Sequence, residues 1–376
     1  MHPNQFSLMV GYNCVRLEVV MAEIIDTVLI TGGSKGLGLS AAHQLAEKGA
    51  NVIIVARDVG NLEKGIAFIS VRILPLLRPR QKADSLLQKG ARRPDAQRFH
   101  YISADVSVAS NCARVIAEAT EWGHGSPPDI VWCCSGSAHP TLFINTPLEQ
   151  FQTMMDSNYF SSVYMAHSIL NRWLGPVVGD AQSLGQPRES QPSRTMDIQS
   201  PPARHLIFTG SFVSFYSFAG FTPYSPSKAA VRALSDSLSQ EMNLYAAAHP
   251  DLPRIRVHTV FPATMPTQSL EDENAVKTDL TKSLEEGDQI LQPDECARRA
   301  IAGLESGDEM IPTSTIIRLV MASVMGGSVR GGFWKGLVNT ILGWVTSVVM
   351  IFIRWDMDTK VKRWGKKYGS SGSLKH

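Results

Sequence analysis

Thr27-Val28-Leu29-Ile30-Thr31-Gly32-Gly33-Ser34-Lys35-Gly36-Leu37-Gly38 is the stretch on which the fold turns. Thr27 to Ile30 is a short apolar run ending at glycines, the pattern of a strand buried on both faces of a parallel sheet. Ser40 to Lys48 follows with helical spacing and stops at Gly49, and Asn51 to Ala56 is a second buried strand. Strand, glycine turn, helix and strand make a βαβ unit. In the turn, Gly32 allows the sharp bend, Gly36 a close approach of backbone to ligand, and Gly38 tight helix–strand packing.

Outward from this unit the alternation continues. Strands are expected at His100–Ala104, Ile130–Cys134, His205–Thr209 and Arg256–Phe261, with helices over Leu148–Leu174 and Ser225–Ala248. The fold class is therefore α/β, a doubly wound parallel sheet of the Rossmann type with a hydrophobic, membrane-associating C-terminal extension. The expected division is an N-terminal extension (1–24), a catalytic domain (25–312) and a C-terminal segment with a basic tail (313–376). Two inserts interrupt the pattern. The one near 68–93 contains two prolines and no amphipathic period, and reads as a regulatory insert or an error of the gene model. The one near 175–203, rich in Pro, Gln, Ser and Gly, reads as a disordered surface loop.

Composition narrows the function. Hydrophobic residues at 44% and charged residues at 19% suit a packed globular chain, and a net charge of +2 over 376 residues gives no reason to expect a nucleic-acid partner. Cys14, Cys112, Cys133, Cys134 and Cys296 form neither a disulfide framework nor a metal-ligand spacing, so no metal is expected. Arg16 and Glu18 break any apolar core near the N-terminus, so no signal peptide is expected; Met21 is an alternative start.

A glycine turn between strand and helix aims the helix N-terminus at a pyrophosphate, which predicts a nicotinamide dinucleotide held by Gly32, Ser34, Lys35, Gly36, Leu37 and Gly38. The second strand ends Val55-Ala56-Arg57, with a cation where NAD-binding units carry an acid. Arg57 and Lys35 together favour the 2′-phosphate of NADPH. Asp105 either bonds the adenine or caps the next helix.

Tyr224-Ser225-Pro226-Ser227-Lys228 places a phenol and an ammonium four residues apart, on one face of a helix start. A phenol with an ordinary pKa of ~10 needs help to act near neutrality, and a nearby ammonium lowers it. Tyr224 can then protonate a ketone oxygen as hydride reaches the carbon. Ser211, thirteen residues earlier, can bond the same oxygen. Asn158 sits mid-helix, where asparagine is a mediocre former, and holding a water near the lysine would explain it.

The glycine loop, Asn158, Ser211, Tyr224 and Lys228, in that order, resemble the short-chain dehydrogenase/reductase family, over roughly Thr27 to Thr267 without the inserts. The resemblance implies a catalytic tetrad of Asn158, Ser211, Tyr224 and Lys228, with Tyr224 and Lys228 also touching the cofactor. It places Gly136 and Thr267 in the cofactor set, Thr267 on the nicotinamide amide. Two departures stand out. The family's Asn-Asn-Ala-Gly is here Cys133-Cys134-Ser135-Gly136, so the support of the central sheet is expected to differ, and its Pro-Gly is Pro262-Ala263.

Phe212, Phe215, Tyr216, Phe218 and Phe221 between Ser211 and Tyr224 read equally as an apolar substrate wall or as core and subunit packing. Gly336 to Ile353 is eighteen residues without a charge, flanked by Trp334 and Trp355 and followed by Arg354, Lys360, Lys362, Arg363, Lys366 and Lys367. A single span would put this basic tail opposite the catalytic domain; a re-entrant hairpin or helices in the interface keep both on one side and are preferred. A helix buried in a homodimer is the bland alternative. The stretches Phe218–Lys228 and Asn158–Tyr164 resemble members of the family that serve sphingolipid synthesis. This implies a long-chain lipid ketone as substrate, a membrane surface as partner, and the endoplasmic reticulum membrane as location with the catalytic domain facing the cytosol.

Overall fold

The computed structural model describes residues 27–73, 97–178, 201–324, 333–370 and 372–374. The N-terminal extension and the greater part of both expected inserts lie outside these residues. Seven parallel strands form one sheet: β1 (Thr27–Thr31), β2 (Asn51–Ala56), β3 (Phe99–Ser103), β4 (Ile130–Cys133), β5 (Arg204–Thr209), β6 (Ile255–Phe261) and β7 (Met310–Pro312), in the order β3-β2-β1-β4-β5-β6-β7. The order reverses between β1 and β4, so the crevice for a ligand opens at their C-terminal ends. β1 and β4 are buried at every position, as the continuous apolar runs require of central parallel strands.

Helices cover both faces. Residues named in order along the chain are α1 (Gly36–Glu47), α2 (Val59–Ile73), α3 (Ala109–Trp122), α4 (Leu148–Met154), α5 (Ser161–Val178), α6 (Ser225–Ala248), α7 (Gln268–Val276), α8 (Asp279–Leu284), α9 (Pro293–Glu305), α10 (Thr315–Val324) and α11 (Phe333–Tyr368). Two cores result, one per face. Val28, Ile30, Leu45, Ile54 and Trp132 anchor one; Leu29, Ile53, Val131, Ile169 and Phe208 anchor the other. Neighbouring residues of one strand alternate between the two, which is the strand's period of two.

Three differences from the sequence reading have physical causes. α2 runs through Ile73, so the first insert begins later than residue 68; Ile69 is fully buried and holds that helix on the core. β7 was not expected, because three residues are too short to show a period. α10, part of the expected membrane segment, gives Ile317 and Met321 to the first core. The core thus continues past residue 312.

α11 is 36 residues long, ~54 Å of helix. Its stretch Gly336–Tyr368 is long and apolar enough to cross a membrane. Yet one stripe lies along the domain: Gly343 and Thr346 are buried, and Met350, Met357, Val361, Trp364 and Tyr368 are partly covered. Gly343 sits where a side chain would strike the Ala322 carbonyl, and Ser347 Oγ donates to the Ser323 carbonyl at 3.2 Å. The rest of the apolar surface, including Trp334, Ile341, Trp344, Val345, Val348, Phe352 and Trp355, is exposed. Beyond the helix the chain turns back onto the catalytic domain: Leu280 N donates to Gly372 O at 2.9 Å, and Leu374 N to Asp279 Oδ2 at 2.8 Å.

Candidate active site

The glycine turn folds as its sequence demands. Gly32 (φ 68°) and Gly36 (φ 56°) occupy the left-handed region. Gly32 N donates to Val55 O at 2.7 Å, which lays the turn over the end of β2. A side chain at Gly38 would strike the Gly32 carbonyl, so α1 packs on the turn only with glycine there. Lys35 is the exposed N-cap residue of α1, Ser34 is partly exposed, and Leu37 is buried as the anchor of the first helical turn. Thr267, the residue before α7, closes over the turn: its methyl stands 3.6 Å from where a Cβ at Gly36 would lie.

Arg57 is exposed after β2. Asp105 faces it: the Ser107 hydroxyl (2.7 Å) and amide (3.0 Å) hold the Asp105 carboxyl below its ordinary range, with Arg57 adding its charge. The expected alternative, a helix cap, is not what the carboxylate does, since α3 begins only at Ala109 and Val108 is its N-cap. Asp105 closes a local turn instead.

At the end of β4, Cys134-Ser135-Gly136 stands where the family carries a more polar run, and two bonds tie this loop to its neighbours. Ser135 N donates to Thr31 Oγ1 at 3.3 Å, and the Thr209 hydroxyl to Cys134 Sγ at 3.4 Å. Burial pushes the Cys134 thiol up to about 12, so it stays a neutral acceptor. Gly136 is indispensable for another reason. A side chain there would collide with Asn158 Oδ1 and come within 3.4 Å of Lys228 Nζ. At the other departure, Ala263 N donates to the hydroxyl oxygen of Thr313, just after β7, at 2.8 Å.

Asn158 lies in a π-helical stretch, Met155–Phe160, which joins α4 to α5. Its amide is fully engaged: Oδ1 accepts from Ser137 N at 3.0 Å, and Nδ2 donates to Ser137 O at 2.9 Å and Ser227 Oγ at 3.1 Å. These bonds clamp the β4 loop to the turn that carries Lys228. A π-turn is a common device for aiming one such side chain at a site.

Ser211 follows β5 and caps a short 3₁₀ turn. Ser214 N donates to its side chain, and Ser214 Oγ accepts from Ser211 N at 3.1 Å while donating to the Lys228 carbonyl at 3.0 Å. One hydroxyl thus locks the Ser211 turn to the helix of Tyr224 and Lys228. Ser211 also hydrogen-bonds the Tyr224 phenol. Lys228 is buried, gives its ammonium to the Thr209 carbonyl at 2.9 Å, and is pushed down to about 8 by burial. It stands 5.8 Å from the centre of the Tyr224 ring. The phenol itself is pushed up, first by burial and then by the charge of Glu273, with the Ser211 bond opposing.

The aromatic segment divides. Phe215 packs tilted on Phe261 at 4.4 Å and Phe212 packs on the core, whereas Phe218 and Phe221 pair at 4.8 Å beside Tyr224. Glu273 and Lys277 were missed by the sequence reading. Their only signal was a Glu-to-Lys spacing of four, which on most helices marks a solvated face. The ends of β1, β2, β4 and β5 thus bring the predicted residues to one side of the sheet. No cluster of metal-ligating side chains exists among the described residues.

Comparisons with known proteins agree with this geometry. A KR domain model matches residues 26–174 and a short chain dehydrogenase model residues 193–278. The chain is 39% identical to a 3-ketodihydrosphingosine reductase of Aspergillus fumigatus, over 92% of this chain and 86% of that protein. It is 38% identical to a 3-ketodihydrosphingosine reductase of Neurospora crassa, over 91% and 83%. A solved short-chain type dehydrogenase/reductase from Mycobacterium ulcerans shares the fold, with a TM-score of 0.55 at 16% identity over 77% of this chain and 88% of that one. The chain belongs to the short-chain dehydrogenase/reductase family.

Proposed function

We propose that the protein reduces 3-ketodihydrosphingosine to dihydrosphingosine with NADPH, in sphingolipid synthesis, at the cytosolic face of the endoplasmic reticulum membrane. The observation that carries the reaction type is the gathering of Ser211, Tyr224, Lys228 and Asn158 at the strand ends, with the Lys228 ammonium 5.8 Å from the centre of the Tyr224 ring. The substrate rests on the likeness to the two fungal reductases.

The cradle fits a dinucleotide. Gly32 and Gly36 take backbone conformations other residues avoid, and Gly136 lets the β4 loop pass directly against Asn158 and Lys228. Bound NADPH would supply the hydride. Gly32, Ser34, Lys35, Gly36, Leu37 and Gly38 would hold its pyrophosphate side, Arg57 and Lys35 a 2′-phosphate, Asp105 the adenine, and Gly136 and Thr267 the nicotinamide side. Ser211 orients the ketone oxygen. Tyr224 gives its phenolic proton to that oxygen as the alkoxide forms, so no free oxyanion is left. Lys228, charged below about pH 8, stabilises the resulting phenolate. Asn158 holds the Ser137 loop and Ser227 so that Lys228 keeps its place.

The membrane reading is supported by the exposed apolar side of α11 with its tryptophans and following lysines. The return of residues 372–374 to α8 keeps the tail beside the catalytic domain, as helices lying in the interface require and a single span does not. The test is NADPH oxidation by protein in detergent, offered 3-ketodihydrosphingosine, a steroid ketone, retinal and a fatty acyl ketone. Turnover should be highest by at least an order of magnitude with the sphingoid ketone. Equal turnover of a steroid would overturn the substrate assignment. Arg57→Asp should weaken NADPH far more than NADH, and equal wild-type affinity for the two would overturn the cofactor assignment.

A further inference from the structure

A second apolar surface lies away from α11. From Ile130 to Leu148 the chain carries no Asp, Glu, Lys or Arg. In the loop between β4 and α4 a 3₁₀ turn, Phe143–Asn145, leaves Phe143 62% and Ile144 77% exposed, and Leu148, at the start of α4, is 78% exposed. The turn holds these side chains outward while closing polar groups within itself. Asn145 N donates to Leu142 O at 3.0 Å, Thr146 N to Phe143 O at 3.2 Å, and the Thr146 hydroxyl to Leu142 O at 2.8 Å. The Phe143 ring is steadied edge-on by Phe151 at 5.3 Å. Against the base of this tip sits the chain that follows α11. A side chain at Gly372 would come within 2.8 Å of Leu142 and 3.1 Å of Thr278, and Leu374, two residues on, is exposed.

We infer that the tip formed by Phe143, Ile144 and Leu148 is a second lipid contact, seated in the same bilayer as α11, which holds the Ser137 side of the active site against the membrane. The inference rests on the long-chain substrate proposed above. A cluster of exposed apolar side chains fits either another protein or a membrane, and three observations favour lipid. The tail that ends α11 packs against Leu142, the residue before the tip, so the tip is joined to the exposed apolar helix. Three side chains on one turn fall short of the ~800 Å² per partner that a stable protein contact buries, whereas entry into a bilayer gains from each apolar group separately. A segment that enters the headgroup boundary must bond its own backbone, as this turn does at Leu142 and Phe143. The tip is also near the chemistry. Six residues of chain reach from Ser137, which Asn158 holds, to Phe143, a span of at most ~21 Å. A long apolar chain leaving the bilayer beside the tip therefore has little water to cross.

The test sediments the full chain with vesicles of phosphatidylcholine and phosphatidylserine, as wild type and as Phe143→Ser with Ile144→Ser. Turnover is measured with 3-ketodihydrosphingosine carried in the vesicles and with a short-chain, water-soluble 2-amino ketone. Thermal midpoint and oligomeric state are read in detergent. The double variant should bind vesicles ~10-fold more weakly, because two large apolar groups leave the contact. Its kcat/KM for the vesicle-borne ketone should fall in proportion. Its kcat/KM for the soluble ketone and its thermal midpoint should match wild type, both side chains being exposed. Vesicle binding equal to wild type would overturn the inference. So would equal losses on the two ketones, which would put the tip in the catalytic pocket, or a change of oligomeric state, which would make a second copy its partner. Vesicle binding is read without substrate. A wild type inert toward both ketones would thus overturn the reductase reading, while sedimentation still decides the lipid contact. Should the double variant fail to fold, Leu148→Ser replaces it and should weaken vesicle binding ~3-fold or more; undiminished binding there would overturn the inference.

Discussion

Tyr224 is held in place by its neighbours rather than by its own helix. Ser211 bonds its phenol, and Ser214 ties the Ser211 turn to the Lys228 carbonyl. Tyr224→Phe removes the proton and keeps the ring, so turnover should fall by roughly two to four orders of magnitude. NADPH affinity, read by fluorescence titration, should hardly change; turnover near wild type would sink the mechanism. Lys228→Met should lower turnover and weaken NADPH binding together, since the lysine stands beside the phenol and is proposed to touch the cofactor as well. The candidate tetrad could be picked out because four residue types recur in a set order. The clamp formed by Asn158 was not, because its partners Ser137 and Ser227 lie twenty-one and sixty-nine residues away.

At the scale of elements, α2 shows how packing outruns pattern. Pro75 and Pro79 suggest a broken segment from residue 68 onward, yet Ile69 is fully buried inside a helix that ends at Ile73. Ile69→Ala should therefore cost about 3 kcal/mol, seen as a lower denaturant midpoint with unchanged slope. No loss would mean that the helix end does not pack. β5 and β6 carry a buried pair of a different kind. His258 donates Nδ1–H to the Asp308 carbonyl at 2.7 Å, and its Nε2 shares a hydrogen bond with His205 Nδ1 at 3.0 Å. Burial, with the charges of His258 and Arg256 adding to it, pushes His205 down to about 3. Unfolded histidine titrates at ~6.5, so this pair stabilises fully above that pH, and its contribution is lost as the pH falls toward about 3. The thermal midpoint of His205→Gln should accordingly depend less on pH between ~6.5 and ~4 than that of wild type. Parallel curves for the two proteins would refute the assignment.

For the whole molecule, α11 joins the catalytic domain to an apolar exposed surface, and its tail returns to α8 beside the pocket segment. Val345→Glu with Phe352→Glu should reduce sedimentation with anionic vesicles ~10-fold or more, because two large apolar groups are lost from the contact. The thermal midpoint in detergent should not move, since both side chains are exposed. Unaltered vesicle binding would show that this face does not meet lipid. By itself the sequence determined the strand–glycine–helix unit, the parallel sheet, the order of the tetrad and the apolar C-terminal run. All of these are written in local periodicity and in residue types that few other conformations accept. Only the tertiary structure decided that α10 belongs to the core, that β7 closes the sheet, that α11 lies along the domain, and that Glu273 and Glu285 meet on Lys277. Each of these depends on contacts between residues far apart in the chain, whose energies no local window of sequence contains.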